Sequence, residues 1–302
     1  MSELLPPARN RPLYEGGPQV SSIAWGMWRF AGDDLDAAEA RVRAALDAGV
    51  TLFDTADVYG PDNGEPFGAA ETLLGRVFAR APALKTEMVL ATKGGIKPGT
   101  PYDSSAGYLA EAINASLMRM GVERVALWQI HRPDMLTHPA EAARALEAAH
   151  KAGKIGAVGV SNHTAAQVEA LAAHLSLPVV ATQPEFSPLC TQPLFDGVLD
   201  QAMARGITVL AWSPMGGGRL GAPKDDRASA VAALLDGKAA HAGVSRAAAA
   251  YSWIMAHPAH PIPIAGSQQT ARIAEIPDAF TPRWTRAEWY AVLVASIGEP
   301  LP

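Results

Sequence analysis

The chain has one cysteine, Cys190, in 302 residues, so no intrachain disulfide can form. That suits a reducing compartment, and Cys190 itself reads as a small, half-buried side chain. No stretch is long and apolar enough to span a bilayer. The opening residues MSELLPPARNRP lack the apolar core of a secretion signal, which makes the cytoplasm the expected address. Positive charge is not in excess, since 25 Lys and Arg stand against 30 Asp and Glu, a net charge of −5. A nucleic-acid or membrane partner therefore has no basic face or tail to meet. Neither a helical histidine pair nor a cysteine cluster offers metal ligands, so no metal is expected. No glycine-rich GxGxxG turn follows the first apolar run, which argues against a doubly wound dinucleotide-binding sheet.

What the chain does have is ample core material. Apolar residues make up 49% and charged residues 18%, as in ordinary globular proteins. Short apolar runs recur at residues 21–25, 51–54, 88–93, 125–131, 155–161, 179–183, 208–212 and 261–264. Helical patterns separate most of them. Residues 34–48 place Leu35, Ala38, Val42, Ala45 and Leu46 on one face and stop at Gly49. Residues 105–120 place Leu109, Ile113, Leu117 and Met120 likewise and stop at Gly121. Thr164 and Gln167 form a capping-box pair ahead of Val168 and Leu171.

Alternating strands and helices predict right-handed βαβ units and a parallel sheet. About eight units of roughly 35–40 residues match an α/β fold of the (β/α)8 barrel (TIM barrel) type. No linker interrupts the chain, so residues 1–302 read as a single domain. Residues 11–19 are expected to cover the barrel floor, and residues 286–296 to add a helix after the last unit.

Such barrels do their chemistry where the strands end. The second run closes in Asp54-Thr55-Ala56-Asp57-Val58-Tyr59-Gly60, the third in Lys93-Gly94-Gly95 and the fourth in His131-Arg132-Pro133-Asp134. The fifth closes in Ser161-Asn162, the sixth in Gln183 and the seventh in Trp212-Ser213-Pro214. Polar and titratable residues thus end run after run on one rim. Each alone has an ordinary structural explanation, and their convergence is what carries weight.

The strings FDTADVYG, TKGG, IHRPD and GVSN, with residues Gly68 to Gly75 in FGAAETLLG, resemble the aldo-keto reductase superfamily. The segment AWSPMGGGRL resembles a bacterial oxidoreductase subgroup of it. This resemblance spans nearly the whole chain. It implies reduction of an aldehyde or ketone by hydride transfer from NADPH, with NADH the less favoured cofactor. It also implies a catalytic tetrad of Asp54, Tyr59, Lys93 and His131, with Tyr59 as general acid. Ser161, Asn162 and Gln183 would hold the nicotinamide carboxamide, and Trp212, followed by Ser213, would stack on the ring. Met27 would border the nicotinamide, and Trp28 and Val58 the substrate. Gly266, Ser267 and Arg272 would meet the adenosine 2′-phosphate, helped by a helix N-terminus. Gln268 and Gln269 replace a basic residue common in the family, and Ile276 replaces an asparagine that often meets the adenine.

The chemistry explains the residue types. Carbonyl reduction needs a proton as well as a hydride, and a free phenol has a pKa of about 10, far from neutral. A Lys93 ammonium kept charged by Asp54 is expected to lower it. His131 can donate a hydrogen bond to the developing alkoxide. The pocket should be walled by Met27, Trp28, Val58 and Tyr59, with residues 97–103 and 216–227 as Gly- and Pro-rich loops free to move on binding. Two other readings fit the same barrel. One is a Schiff-base aldolase acting through Lys93, and the other is a cofactor-sensing auxiliary protein with little turnover.

Overall fold

The apolar runs of the sequence become the strands of a closed barrel. In the computed structural model, which describes residues 3–4 and 6–301, twelve strands are numbered in chain order. They are β1 (Glu3–Leu4), β2 (Asn10–Pro12), β3 (Gln19–Ser21), β4 (Ala24–Gly26), β5 (Leu52–Asp54) and β6 (Val89–Gly94), followed by β7 (Val125–Ile130), β8 (Ile155–Ser161), β9 (Val179–Gln183), β10 (Thr208–Ala211), β11 (Ile262–Ala265) and β12 (Trp284–Thr285). The strands β4 to β11 pair in parallel and close on themselves, β11 returning to β4. This is the (β/α)8 barrel that the alternation of elements predicts.

Around it lie α1 (Leu35–Asp47), α2 (Ala69–Arg80), α3 (Ala106–Met120), α4 (Pro139–Lys151), α5 (Ala165–Ala172), α6 (Val198–Arg205), α7 (Asp226–Ala242), α8 (Arg246–Met255), α9 (Thr270–Ala274) and α10 (Arg286–Ile297). Local chemistry sets their ends. Asp34 caps α1 through the Ala37 N–H at 3.0 Å, and Gly121 ends α3 with φ +62°, a left-handed turn that glycine adopts without cost. Reciprocal Thr164–Gln167 and Thr285–Glu288 capping boxes open α5 and α10.

Two expectations change. The first run, residues 21–25, is not one strand. The Ser21 hydroxyl donates to the Ile23 carbonyl at 2.6 Å and accepts from the Thr51 N–H at 2.9 Å, and the chain turns there between β3 and β4. Residues 216–227 are not loop throughout. Asp225 caps the Ala228 N–H at 2.7 Å and draws Asp226 and Arg227 into α7.

The antiparallel β2–β3 hairpin lies under the barrel and buries Leu13 and Val20 completely. These pack with Ala24, Leu52, Ala91, Leu127, Ala157, Ala181, Leu210 and Ile262, an apolar layer inside the barrel. The strand period of two then dictates what comes next on the same face. Two residues beyond Leu52, Ala91, Leu127 and Ala181 stand Asp54, Lys93, Gln129 and Gln183. Outward-facing Trp25, Phe53, Trp128 and Val158 pack on the helices instead.

Close packing of α2 on α3 holds the second and third units in register. A Cβ at Gly75 would lie 2.0 Å from the Arg119 carbonyl oxygen, so only glycine lets the two backbones approach. Gly75→Ala is expected to cost about 1–3 kcal/mol through overpacking, read as a lower urea midpoint at unchanged slope. A midpoint equal to that of the parent would refute this account of the contact.

Candidate active site

Lys93 and Asp54 face each other from adjacent strands β6 and β5, both almost fully buried. Lys93 Nζ lies 2.6 Å from Asp54 Oδ2 and donates to the Thr55 carbonyl at 2.9 Å. A buried ammonium without a counter-charge would be strongly destabilising, so the pairing is obligatory. Burial works against this ammonium, but Asp54 and the Tyr59 phenol outweigh it and raise its pKa above the ordinary lysine value. Lys93 therefore stays charged.

Tyr59 reaches the same place from the loop after β5. That loop is stitched to β6, where the Thr55 and Asp57 N–H groups donate to the Ala91 and Lys93 carbonyls, each at 2.9 Å. The Tyr59 ring centre lies 5.1 Å from Lys93 Nζ and 6.0 Å from the His131 ring, edge to face at 80°. The expected lowering of the phenol pKa is corrected. Desolvation raises it above 10.0, and the opposing pull of Lys93 does not cancel that rise. The phenol holds its proton at neutral pH.

His131 follows β7 and is anchored by its N–H to the Gly94 carbonyl at 2.8 Å. Burial, with Lys93 and then Arg132 nearby, drives its pKa well below 6.5, so the imidazole is neutral. Its Nδ1 has no hydrogen-bond partner among the described residues. Asp54, Tyr59, Lys93 and His131 are thus brought together, as the strand ends promised.

Around them, β8 and β9 contribute an amide cluster. Gln183 Nε2 donates to Asp54 Oδ1 at 2.9 Å, and Ser161 Oγ donates to the Gln183 carbonyl at 2.9 Å. Asn162, at φ +59°, donates to the His131 carbonyl at 3.2 Å and to Ser161 Oγ at 2.8 Å, and accepts from Trp212 Nε1 at 2.9 Å. Ser213 also has a positive φ, +50°. Two non-glycine residues in this sparsely allowed region, side by side at one rim, mark a locally strained site.

Placement of the remaining expected residues is uneven. Met27 is fully buried in the outer core, so its side chain has no surface to offer a cofactor or substrate. Trp28 turns outward, 41% exposed, and its indole N–H donates to Asp62 Oδ2 at 3.0 Å. Val58 is half-buried beside Tyr59. At the far end of the rim, Gly266 is exposed and Ser267 is half-buried, with its carbonyl held by Trp25 Nε1 at 2.9 Å. Arg272 is exposed and has no ion-pair or hydrogen-bond partner among the described residues. The two departures there have structural explanations. Gln268 turns inward and donates to the Gly26 carbonyl at 3.1 Å, and Ile276 is buried in the core. The helix α9 spans five residues, too short to supply much of a dipole. Arg272 is the cation of that end.

Three residues with no assigned role in the sequence also matter. Gln129 is fully buried and donates to Asp54 Oδ1 at 3.3 Å. A polar residue two places before His131 in an apolar run was the signal for it. Arg132 leans over the Trp212 ring, 5.7 Å from its centre, and makes no hydrogen bond or ion pair with described residues. Asp57 is 1% exposed and neither of its oxygens has a partner among them.

The fit to a nicotinamide dinucleotide is good at one end and rests on charge at the other. Gln183 Oε1 has no partner among the described residues, the aromatic Trp212 is held by Asn162 at 2.9 Å, and Arg272 is free to meet a phosphate.

Comparison with known proteins agrees with this fold. The profile of the aldo/keto reductase family matches residues 22–292. The chain belongs to the aldo/keto reductase family. This aldo/keto reductase is 55% identical, over 100% of both chains, to the 6-dehydroglucose reductase of Novosphingobium aromaticivorans. It is 34% identical to the 6-dehydroglucose reductase of Agrobacterium fabrum, covering 93% of this chain and 96% of that one. Among solved structures, the glycerol dehydrogenase of Gluconobacter oxydans superposes with a TM-score of 0.82 at 26% identity, covering 94% of this chain and 95% of that one. Like its family, this reductase is an oxidoreductase built for carbonyl reduction. No helix among its described residues is long and apolar enough to cross a membrane.

Asp57 yields a testable consequence. Burial, then repulsion from Glu71, raises its pKa well above the ordinary value, against the weaker pulls of Arg119 and Lys93. An unfolded aspartate loses its proton near pH 3.9, whereas the folded one keeps it to higher pH. The folded state therefore binds more protons above about pH 4, and stability falls as pH rises. Asp57→Asn removes this penalty. The melting temperature of the variant relative to the parent is expected to increase from pH 4.5 to pH 8. A difference that stays constant with pH would show Asp57 to be ionised.

Proposed function

We propose that this reductase converts the aldehyde of a polyhydroxylated, sugar-type substrate to an alcohol, with NADPH as reductant and Tyr59 as general acid. One observation carries the reading. A buried Lys93–Asp54 ion pair of 2.6 Å sits beside a protonated Tyr59 and a neutral His131 at the rim of a (β/α)8 barrel. A reduced nicotinamide, when bound, supplies the hydride.

The chain's own groups supply the rest. Tyr59 keeps its proton at neutral pH and gives it to the carbonyl oxygen as that oxygen gains charge. Lys93, held charged by Asp54, then stabilises the phenolate left behind. A neutral His131 still has one ring N–H to donate to the same oxygen. Lys93 is unsuited to Schiff-base chemistry, because a charged ammonium is not a nucleophile, and its pKa is raised rather than lowered.

Cofactor and substrate follow from charge and surface. An unpaired, exposed Arg272 suits the bidentate demand of a 2′-phosphate, with Ser267 and Gly266 beside it, and this favours NADPH over NADH. Gln183, Asn162 and Ser161 would meet the carboxamide, and Trp212 with Ser213 the ring. The two relatives named 6-dehydroglucose reductase point to a sugar aldehyde. Trp28 offers an aromatic face and Arg132 an unpaired guanidinium, the mixed lining that a polyol requires.

Tyr59→Phe is expected to lower kcat by about 10²–10⁴-fold while the Kd for NADPH stays unchanged. Turnover of a sugar aldehyde at the parent rate would remove Tyr59 from the role of acid. The parent should show the higher kcat/KM with NADPH, and the opposite order would overturn the assignment of Arg272. Arg132→Met is expected to raise KM by about tenfold for a sugar aldehyde, the loss of one charged hydrogen bond, and to leave KM for a short alkyl aldehyde unmoved. Equal effects on both would mean that Arg132 does not read hydroxyl groups.

A further inference from the structure

Deep in the barrel, four buried side chains form one closed polar circuit. Asp54 Oδ2 is taken by Lys93 at 2.6 Å. Asp54 Oδ1 accepts from Gln183 Nε2 at 2.9 Å and from Gln129 Nε2 at 3.3 Å. Gln129 Oε1 accepts in turn from Gln183 Nε2 at 3.2 Å. All four residues are at most 2% exposed. Room for Gln129 is left by β8, where a Cβ at Gly159 would lie 3.0 Å from Gln129 Cγ.

The donor and acceptor inventory makes the circuit directional. A carboxylate only accepts, and a lysine ammonium only donates. Both glutamines must therefore turn their NH2 groups toward Asp54. Gln183 spends one N–H on Asp54 and the other on Gln129. Its Oε1 is then its one remaining polar atom, and it has no partner among the described residues. The opposite orientation would set an amide oxygen against a carboxylate and leave buried N–H groups unmatched, which is costly.

We infer that Asp54 is a positioning residue for the cofactor as well as the partner of Lys93. It locks the Gln183 amide with its oxygen presented as an acceptor, so that the site selects a nicotinamide ring bearing an N–H donor at its carboxamide. The inference rests on the reading of Gln183 as a nicotinamide contact. It adds that the charge holding Lys93 also sets the polarity of the cofactor grip.

Asp54→Asn tests this, because Lys93 must draw the new amide oxygen toward itself. The introduced amide then turns its NH2 to the glutamines, and Gln183 must flip and present NH2 instead of oxygen. Binding is read by quenching of tryptophan fluorescence, without carbonyl substrate, for NADPH and for its reduced 3-acetylpyridine analogue, whose acetyl group accepts but does not donate. The parent is expected to favour NADPH by about fivefold, the worth of one hydrogen bond. In Asp54→Asn the ratio of the two Kd values should fall to near one, and in Gln129→Leu it should stay near the parent value, since Asp54 still holds Gln183. A parent ratio retained in Asp54→Asn, or lost in Gln129→Leu, would overturn the inference. A parent that binds neither dinucleotide would instead overturn the cofactor reading beneath it.

Loss of the buried charge could leave Asp54→Asn unfolded, so a measurement on the parent stands beside it. With 15N-labelled glutamine, the Gln183 side-chain NH2, assigned through Gln183→Met, should exchange with D2O far more slowly than those of the exposed Gln192 and Gln269. Exchange at the surface rate would show that the amide is not locked and would overturn the inference by itself.

Discussion

Everything at the rim of this barrel depends on one buried ion pair. Lys93 and Asp54 lie out of water, and neither charge is tolerable without the other. The pair needs strands β5 and β6 in register, because Asp54 sits opposite Ala91 and Lys93 opposite Gln129 in the parallel ladder. A slip of one residue would turn both side chains to the outer face, among Trp25, Phe53 and Trp128. The packing of the helices, the apolar floor and the hairpin beneath it all act to keep that register.

The pair also organises its surroundings by electrostatics. It keeps an ammonium beside the Tyr59 phenol and so favours the neutral form of His131. Desolvation acts on all of these groups at once. It raises the pKa of the phenol and lowers that of the imidazole, leaving a proton-bearing acid beside an uncharged hydrogen-bond donor. The same low polarity raises the pKa of Asp57 just behind. The site thus departs from the expectation that Lys93 makes Tyr59 more acidic, because burial outweighs the nearby charge.

The two ends of the rim differ in how firmly they are built. Around Asp54 each amide is engaged by neighbours, and Asn162 and Trp212 tie β8 to the loop after β10. Near Arg272 the helix is short and the guanidinium is free. The first end supports a pre-organised grip, and the second supplies charge. The nearby Gln268 bridges to Gly26 at the end of β4.

Much was legible in the sequence by itself. Strand and helix periods, glycine stops and capping pairs are local, and they placed eight strands, the main helices and the polar residues that close each run. The order of those closures on parallel strands predicted that Asp54, Tyr59, Lys93 and His131 would meet. Only the tertiary structure decided which way side chains face and what surrounds them. Met27 and Trp28 are neighbours in the chain, yet one is buried in the core and the other points to solvent, because the chain turns where Met27 donates its N–H to Asp54 and Phe30 donates to Met27. Gln129 looked like one polar residue in an apolar run, and its partners came from β5 and β9, 75 and 54 residues away. The direction of the Tyr59 pKa was likewise unreadable, since desolvation belongs to the packed interior and not to any residue or spacing.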